Sequence, residues 1–310
     1  MRLINSSFEI IEQKNEPAGM WKHIERCARV AYKSEDKITS DSYNRFCKML
    51  VDRGHLACLE QGTVYLKIPY ILNDEYSGEW VESRYGQNPY SRVYCDGSNY
   101  YITTNQRVIH ENEWVDDVDE FWCLPEEQHY KRYCVKVTCS RGISHEIVRH
   151  RAMSFIQSSQ RYINYSFDKF GSELTFIIPE WIYNVRDEIA STIDLVSGKT
   201  KTYLYQMDGL KLIKELACED RSVACWYNNL RRCEEDYMFL TTTDESYKLK
   251  PQEARGVLNN DCMTEICICG FVDQWNHFFE LRTASDAHPD FQVIAKAIKL
   301  EFEKRNYLNE

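Results

Sequence analysis

No run in this chain of 310 residues is apolar enough to cross a bilayer; the longest apolar stretches fall well short of the roughly 20 residues that a spanning helix needs. The N-terminus, Met1-Arg2-Leu3-Ile4-Asn5, carries no apolar segment of the secretory kind. A cytoplasmic protein without membrane partners is therefore expected. Glycine and proline are sparse, at 12 and 7 residues, and no Gly/Ser-rich or Pro-rich linker, internal repeat or low-complexity tract divides the chain. That predicts one domain over residues 1–310. No Cys-x-x-Cys pair occurs among the 13 cysteines, whose number is odd and whose spacing is irregular. They read as reduced thiols used as small core residues, and no metal site is expected. His145 and His150 are five apart and diverge around a helix, unlike the four-residue spacing of a zinc-protease pair. Positive charge is short as well: 38 Lys and Arg face 48 Asp and Glu, a net charge of −10. That argues against general nucleic-acid binding, which relies on basic surface. A small anion in a local basic pocket stays open.

Several elements are legible from pattern. Residues 19–32 predict a helix with Met20, Ile24, Cys27 and Ala31 on one face. A second helix is expected between the N-cap candidates Thr39 and Ser40 and the stop at Gly54, with Phe46, Met49 and Leu50 as its stripe. Residues 64–68 alternate as a strand closed by Pro69, and 132–140 alternate through Val135, Val137 and Cys139. Residues 141–151 predict a helix, 154–166 an irregular polar stretch, and 174–179 a short strand. From about 203 to the end the chain reads as mostly helical, with a polar break near 241–250. The segment 70–130, rich in Tyr, Asn, Asp and Trp with weak periodicity, reads as an irregular insertion.

The positive charge that exists is concentrated. Arg149, His150 and Arg151 are contiguous, Ser154 and Ser159 follow, and Arg161 lies ten positions after Arg151. Side-by-side cations repel unless an anion or acidic partner neutralises them. Guanidinium suits phosphate because its forked donors match the oxygens. A solvated basic helix end is the plain alternative. The second feature is the stripe Phe271, Trp275, Phe278, Phe279 and Arg282 at helical spacing. An arginine continuing an apolar stripe either snorkels to solvent or meets an anion in an otherwise apolar site.

These residues resemble the fingerprint of the flavin-dependent thymidylate synthases. That pattern runs Arg-His-Arg, two variable residues, Ser, one variable, Asn-Glu, one variable, Ser, one variable, Arg-Tyr. Arg149, His150, Arg151, Ser154, Ser159, Arg161 and Tyr162 match it in register, with Ile156 and Gln157 in place of Asn-Glu. The resemblance extends to residues 26–35, to Gly54-His55 through Glu60, to Arg255 where the family keeps an arginine in a Glu-x-Ala-Arg-x-x-Leu-like segment, and to Leu281-Arg282 followed by Ala287-His288. Segments 70–130 and 185–250 have no counterpart in the shortest members and are expected to be insertions.

The resemblance implies an α+β fold, a twisted, mainly antiparallel sheet flanked by helices. It implies methylation of dUMP at C5 to dTMP, with methylenetetrahydrofolate as carbon donor and FAD, reduced by NADPH, as hydride source. It also implies a homotetramer with sites shared between subunits. Carried over by position, Glu146, Arg149, Gln157, Ser158, Ser159, Gln160, Arg161, Arg255 and Arg282 would hold dUMP. Ala57, Glu60, Arg149, His150, Arg151, Gln157, Phe271, Val272, Asp273 and His277 would contact FAD. Arg282 would activate the pyrimidine. Gln157 keeps hydrogen-bonding reach but loses a carboxylate, Ala57 offers no hydroxyl, and Phe271 and Asp273 stand where some members have Asn and Arg. No cysteine nucleophile is expected, since the chain has no Pro-Cys dipeptide of the unrelated synthase class. Two other readings are a diverged, catalytically silent nucleotide- or flavin-binding relative, and a nucleic-acid-binding module using the basic segment and the 21 tyrosines.

Overall fold

The computed structural model describes residues 1–70, 78–167, 169, 171–185, 209–242 and 248–308. Its strands are β1 (Arg2–Ile4), β2 (Ser7–Ile11), β3 (Thr63–Pro69), β4 (Arg92–Cys95), β5 (Asn99–Asn105), β6 (Arg132–Ser140), β7 (Ser154–Gln157), β8 (Thr175–Ile177) and β9 (Met263–Phe271). They form an antiparallel sheet in the order β2-β6-β9-β7, an antiparallel sheet in the order β3-β5-β4, and a parallel pair β1-β8. With helices packed on the sheets, the class is α+β, mainly antiparallel.

Strand alternation builds two cores on the two faces of the four-stranded sheet. Val135, Val137, Ile266 and Ile268 point to one face and pack under the helices Val272–Arg282 and Pro289–Lys304 through Trp275, Phe278, Phe279, Phe291 and Phe302. Cys134, Cys267, Cys269 and Ile156 point to the other and meet Ile24, Cys27, Ala28 and Leu50 of the helices Gly19–Tyr32 and Ser42–Asp52. The expected helix over 19–32 and the strand over 132–140 lie where the pattern puts them. Gly54, at φ +69°, donates its amide to the Val51 carbonyl and ends the second helix. Its start differs slightly: Asp41 is the N-cap residue without a side-chain cap bond, and the Thr39 amide is held by Ser42 Oγ at 2.9 Å.

Four expectations need correction. The region after 203 is not simply helical, because β9 runs through the middle of the sheet. From Ile266 onward it is buried on both faces, so Ile266 to Phe271 reads as an apolar run without polar alternation. Residues 154–157 are strand, not irregular, because they pair with β9 from Ser154↔Cys269 to Gln157↔Ile266. The helix expected over 141–151 stops at Ile147. The chain then turns through Arg149 and His150 to Ala152, whose φ of +71° is incompatible with a right-handed helix. The segment 70–130 is ordered where described: β4 and β5 pair with each other and with β3, and the helices Gln106–Glu111 and Val115–Phe121 follow. Its own core includes Leu66, Ile68, Tyr85, Ile102 and Phe121. β5 buries Tyr100, Tyr101, Thr103 and Thr104, residues that favour strands without showing apolar alternation.

Of the expected insertion at 185–250, residues 186–208 and 243–247 lie outside the described residues. The helices Gly209–Glu219 and Arg221–Thr242 pack against the β8 region through Ile213, Leu216, Leu230 and Tyr237.

Candidate active site

The helix Val272–Arg282 decides the position of the site. Trp275, Phe278 and Phe279 are buried at 2% exposure or less and anchor one face to the sheet. Arg282 falls one turn beyond them on the same stripe, at the helix C-terminus where a cation is favoured. It does not snorkel to solvent. Its side chain is only 18% exposed, with Nη1 donating to Glu146 Oε2 at 2.8 Å and Nε donating to His150 Nε2 at 2.8 Å. The Phe291 ring lies 4.8 Å from the guanidinium carbon. Nη2 makes only a long contact, 3.5 Å to the Glu146 carbonyl, and is the donor best placed for a ligand.

Because His150 accepts through Nε2, it carries its proton on Nδ1 when neutral. Burial, then the neighbouring Arg282 and His277, push its pKa down from the ordinary 6.5 to about 4. The ring packs on Phe278 at 4.8 Å. A neutral imidazole here is consistent with its role as acceptor, since a protonated one would have nothing to offer Arg282.

Arg282 and His150 line a cavity of about 710 Å³ with Arg149, Arg151, Asp273 and His277. Among the described residues neither Arg149 nor Arg151 forms an ion pair. The cavity therefore carries uncompensated positive charge, although the chain as a whole is acidic. Gln274 shapes the wall: its Oε1 accepts from the Phe271 amide at 2.9 Å and its Nε2 donates to the Ala152 carbonyl at 3.1 Å. Gly270 keeps this corner tight, since a Cβ there would meet Met153 Cε at 2.7 Å.

The remaining predicted residues lie elsewhere. Gln157 donates to Ser144 Oγ at 2.7 Å and Thr264 Oγ1 at 3.1 Å; Ser158 Oγ is 2.9 Å from the same threonine. The Ser159 amide donates to the Ala31 carbonyl, and Gln160 reaches Cys262 Sγ at 3.7 Å. Arg161 is exposed over the Tyr162 ring, and Tyr162 stacks on Tyr32, whose hydroxyl meets His55 Nδ1 at 2.8 Å. The exposed Ala57 follows in the Leu56–Gln61 turn. Arg255 is exposed beside Arg141. A second polar surface thus gathers Ser159 and Arg161, neither of which lines the Arg282 cavity. Glu60 belongs to neither and pairs with Arg107. Phe271 and Val272 are buried, with Phe271 covered by the guanidinium of Arg92 at 4.6 Å.

Two residues escaped the sequence reading. Arg92 lines the cavity from β4 and pairs with Asp273 at 2.8 Å. It sits in the segment read as irregular, and nothing in its local pattern marks it. Arg141 donates to the Ser158 carbonyl and to Thr264 Oγ1 at 3.0 Å, has no carboxylate partner among the described residues, and burial holds its pKa down. Its place immediately after a strand and at the start of a helix was the available signal.

A family model described as thymidylate synthase complementing protein matches residues 128–305. The chain belongs to this family, that of the flavin-dependent thymidylate synthases. The match takes in every residue of the Arg282 cavity except Arg92. A relative named flavin-dependent thymidylate synthase from Corynebacterium diphtheriae is 28% identical over 163 residues, 52% of this chain and 51% of that protein. The chain thus spans about half the length of the curated relatives it matches. Among solved structures, a UMP/dUMP methylase, PolB from Streptomyces cacaoi bound with 5-Br dUMP, aligns over 98% of this chain and 93% of its own at 14% identity and a TM-score of 0.40. Thymidylate synthase X from Helicobacter pylori with FAD and dUMP aligns over 58% of this chain and 71% of its own at 16% identity and a TM-score of 0.36.

Proposed function

We propose that this protein methylates dUMP at C5 to dTMP, taking the carbon from methylenetetrahydrofolate and using FAD reduced by NADPH. The observation that carries the reading is the cavity in which Arg282, held by Glu146 and His150, faces Arg149 and Arg151, which have no ion-pair partners among the described residues. Its volume and cationic lining suit a flavin dinucleotide, with Arg149, His150, Arg151 and His277 as its contacts and the Arg92–Asp273 pair at one wall. When bound, the flavin supplies the hydride chemistry, and the protein contributes orientation and electrostatics.

Arg282 then acts on the pyrimidine. C5 of uracil becomes nucleophilic as negative charge develops on the N3/O4 edge, and a fixed cation in a water-poor site stabilises that charge. Nη2 donates to this edge, while Glu146 and His150 hold the planar group in place. Arg149, Arg161 and Arg255 serve phosphate and orientation, with Ser158, Ser159 and Gln160 as neutral partners. Within one chain none of Ser158, Ser159, Gln160 and Arg161 lines the Arg282 cavity. That arrangement supports a homotetramer in which neighbouring subunits complete one another's sites. The chain acts as one domain in the cytoplasm, with 70–130 and 185–250 as insertions. The test is the absorbance spectrum of the purified protein with and without dUMP. A yellow protein that NADPH bleaches and dUMP perturbs is expected, whereas a colourless protein that takes up no FAD overturns the reading.

A further inference from the structure

We propose that His23, Cys27 and Cys134 hold a zinc ion that ties the Gly19–Tyr32 helix to the central sheet, with Cys267 turning in as the fourth ligand. This proposal does not depend on the catalytic reading. His23 and Cys27 are one turn apart on that helix, Cys134 projects from β6, and Cys267 projects from β9 on the same sheet face. All four are buried, at 5% exposure or less.

His23, Cys27 and Cys134 have the geometry of a partial coordination shell. Cys27 Sγ is 3.7 Å from Cys134 Sγ and 3.7 Å from His23 Nε2, and the ligand atoms of all three residues lie within 4.8 Å of one another. A tetrahedron with zinc–sulfur bonds of about 2.3 Å and a zinc–nitrogen bond of about 2.0 Å has edges of ~3.8 Å between sulfurs and ~3.5 Å between sulfur and nitrogen. Cys267 is the β9 thiol beside both Cys27 and Cys134, whereas Cys269 lies beside Cys134. Cys267 stands outside that 4.8 Å group and closes the shell by a turn of its side chain toward the ion.

Two other observations point to an ion. The His23 imidazole is buried, its Nε2 faces a thiol, and its Nδ1 makes no well-formed hydrogen bond, with only the Glu12 backbone nearby. A buried polar group without partners calls for an explanation such as an ion. Arg132 adjoins the cluster, donates among the described residues only to the neutral acceptors Thr63 Oγ1 and the Glu60 carbonyl, and leaves its buried Nε unpaired there. Binding of Zn²⁺ releases three thiol protons and leaves the centre with one net negative charge, which the Arg132 guanidinium offsets. A cavity of about 330 Å³ lined by His23, Arg132, Cys134 and Cys269 supplies a path for the ion. No electron transfer is involved.

The test uses the full chain, made without a histidine tag in zinc-supplemented medium and purified without chelators. Elemental analysis should find about one zinc per chain. Exchange with cobalt should produce the visible ligand-field bands of a tetrahedral thiolate site. Cys27→Ser, Cys134→Ser and Cys267→Ser should lower retained metal at least tenfold, whereas Cys269→Ser and the exposed Cys95→Ser should not. If the serine variants fail to fold, the wild-type measurements decide. Wild-type metal at the level of the buffer blank with no cobalt spectrum overturns the site, as does a Cys27–Cys134 disulfide in peptide mapping. Retention by Cys267→Ser with loss by Cys269→Ser overturns the choice of the fourth ligand.

Discussion

Replacing Arg282 separates catalysis from folding in this protein. In Arg282→Ala, Glu146 loses a charge-assisted bond at 2.8 Å, but its carboxylate is 31% exposed and can hydrate. Stability should therefore fall by only about 1 kcal/mol, the scale of a partly exposed ion pair. The effect on turnover should be much larger. Removing one preorganised donor to developing negative charge typically costs about 10²–10³ in rate, or about 2.7–4 kcal/mol. Arg282→Lys sharpens the test. An ammonium can restore the Glu146 pair, but it cannot bond Glu146 and His150 from fixed positions and still present a third donor in the same plane. Lysine should recover most of the stability and little of the rate. The assay follows dTMP formation under saturating dUMP, alongside FAD content and the denaturation midpoint of each variant. FAD should stay bound in both. Turnover within threefold of wild type in Arg282→Ala would refute the assigned role, and full activity in Arg282→Lys would show that charge alone suffices.

Other consequences are open to measurement. Arg161→Ala should weaken dUMP binding at least tenfold more than FAD binding, and titrations showing the reverse order would reassign Arg161 to the flavin. Since the folded pKa of His150 is about 4 against an ordinary 6.5, the unfolded chain binds the extra proton over that interval. The associated stability is intact above pH about 6.5 and is lost progressively as pH falls toward about 4. Comparing denaturation midpoints of wild type and His150→Gln across that range should show a shallower acid slope in the variant; superimposable slopes contradict the depressed pKa. Trp275→Ala removes a fully buried ring whose indole N–H also bonds the Tyr133 carbonyl at 3.2 Å. It should cost about 3–5 kcal/mol in chemical denaturation. A loss under 1 kcal/mol would mean that the helix is not anchored as described.

The amino-acid sequence by itself determined the character of the site. Arg149-His150-Arg151 and the stripe ending at Arg282 are local patterns, and their charge and periodicity are properties of neighbouring residues. The helix over 19–32 and the strand over 132–140 were legible for the same reason. Tertiary structure decided everything that depends on residues distant in the chain. β9 was hidden because both of its faces are covered, which removes the polar alternation that marks a strand. β7 became a strand only by pairing with β9. Arg92 reaches the cavity from a segment with no periodic signal, 181 positions before Asp273. The cysteines showed no metal-like spacing, because the proposed ligands Cys27 and Cys134 meet from a helix and from β6, 107 positions apart. Sequence spacing reports coordination only when the ligands share one local element, and here the fold, not the spacing, assembles them.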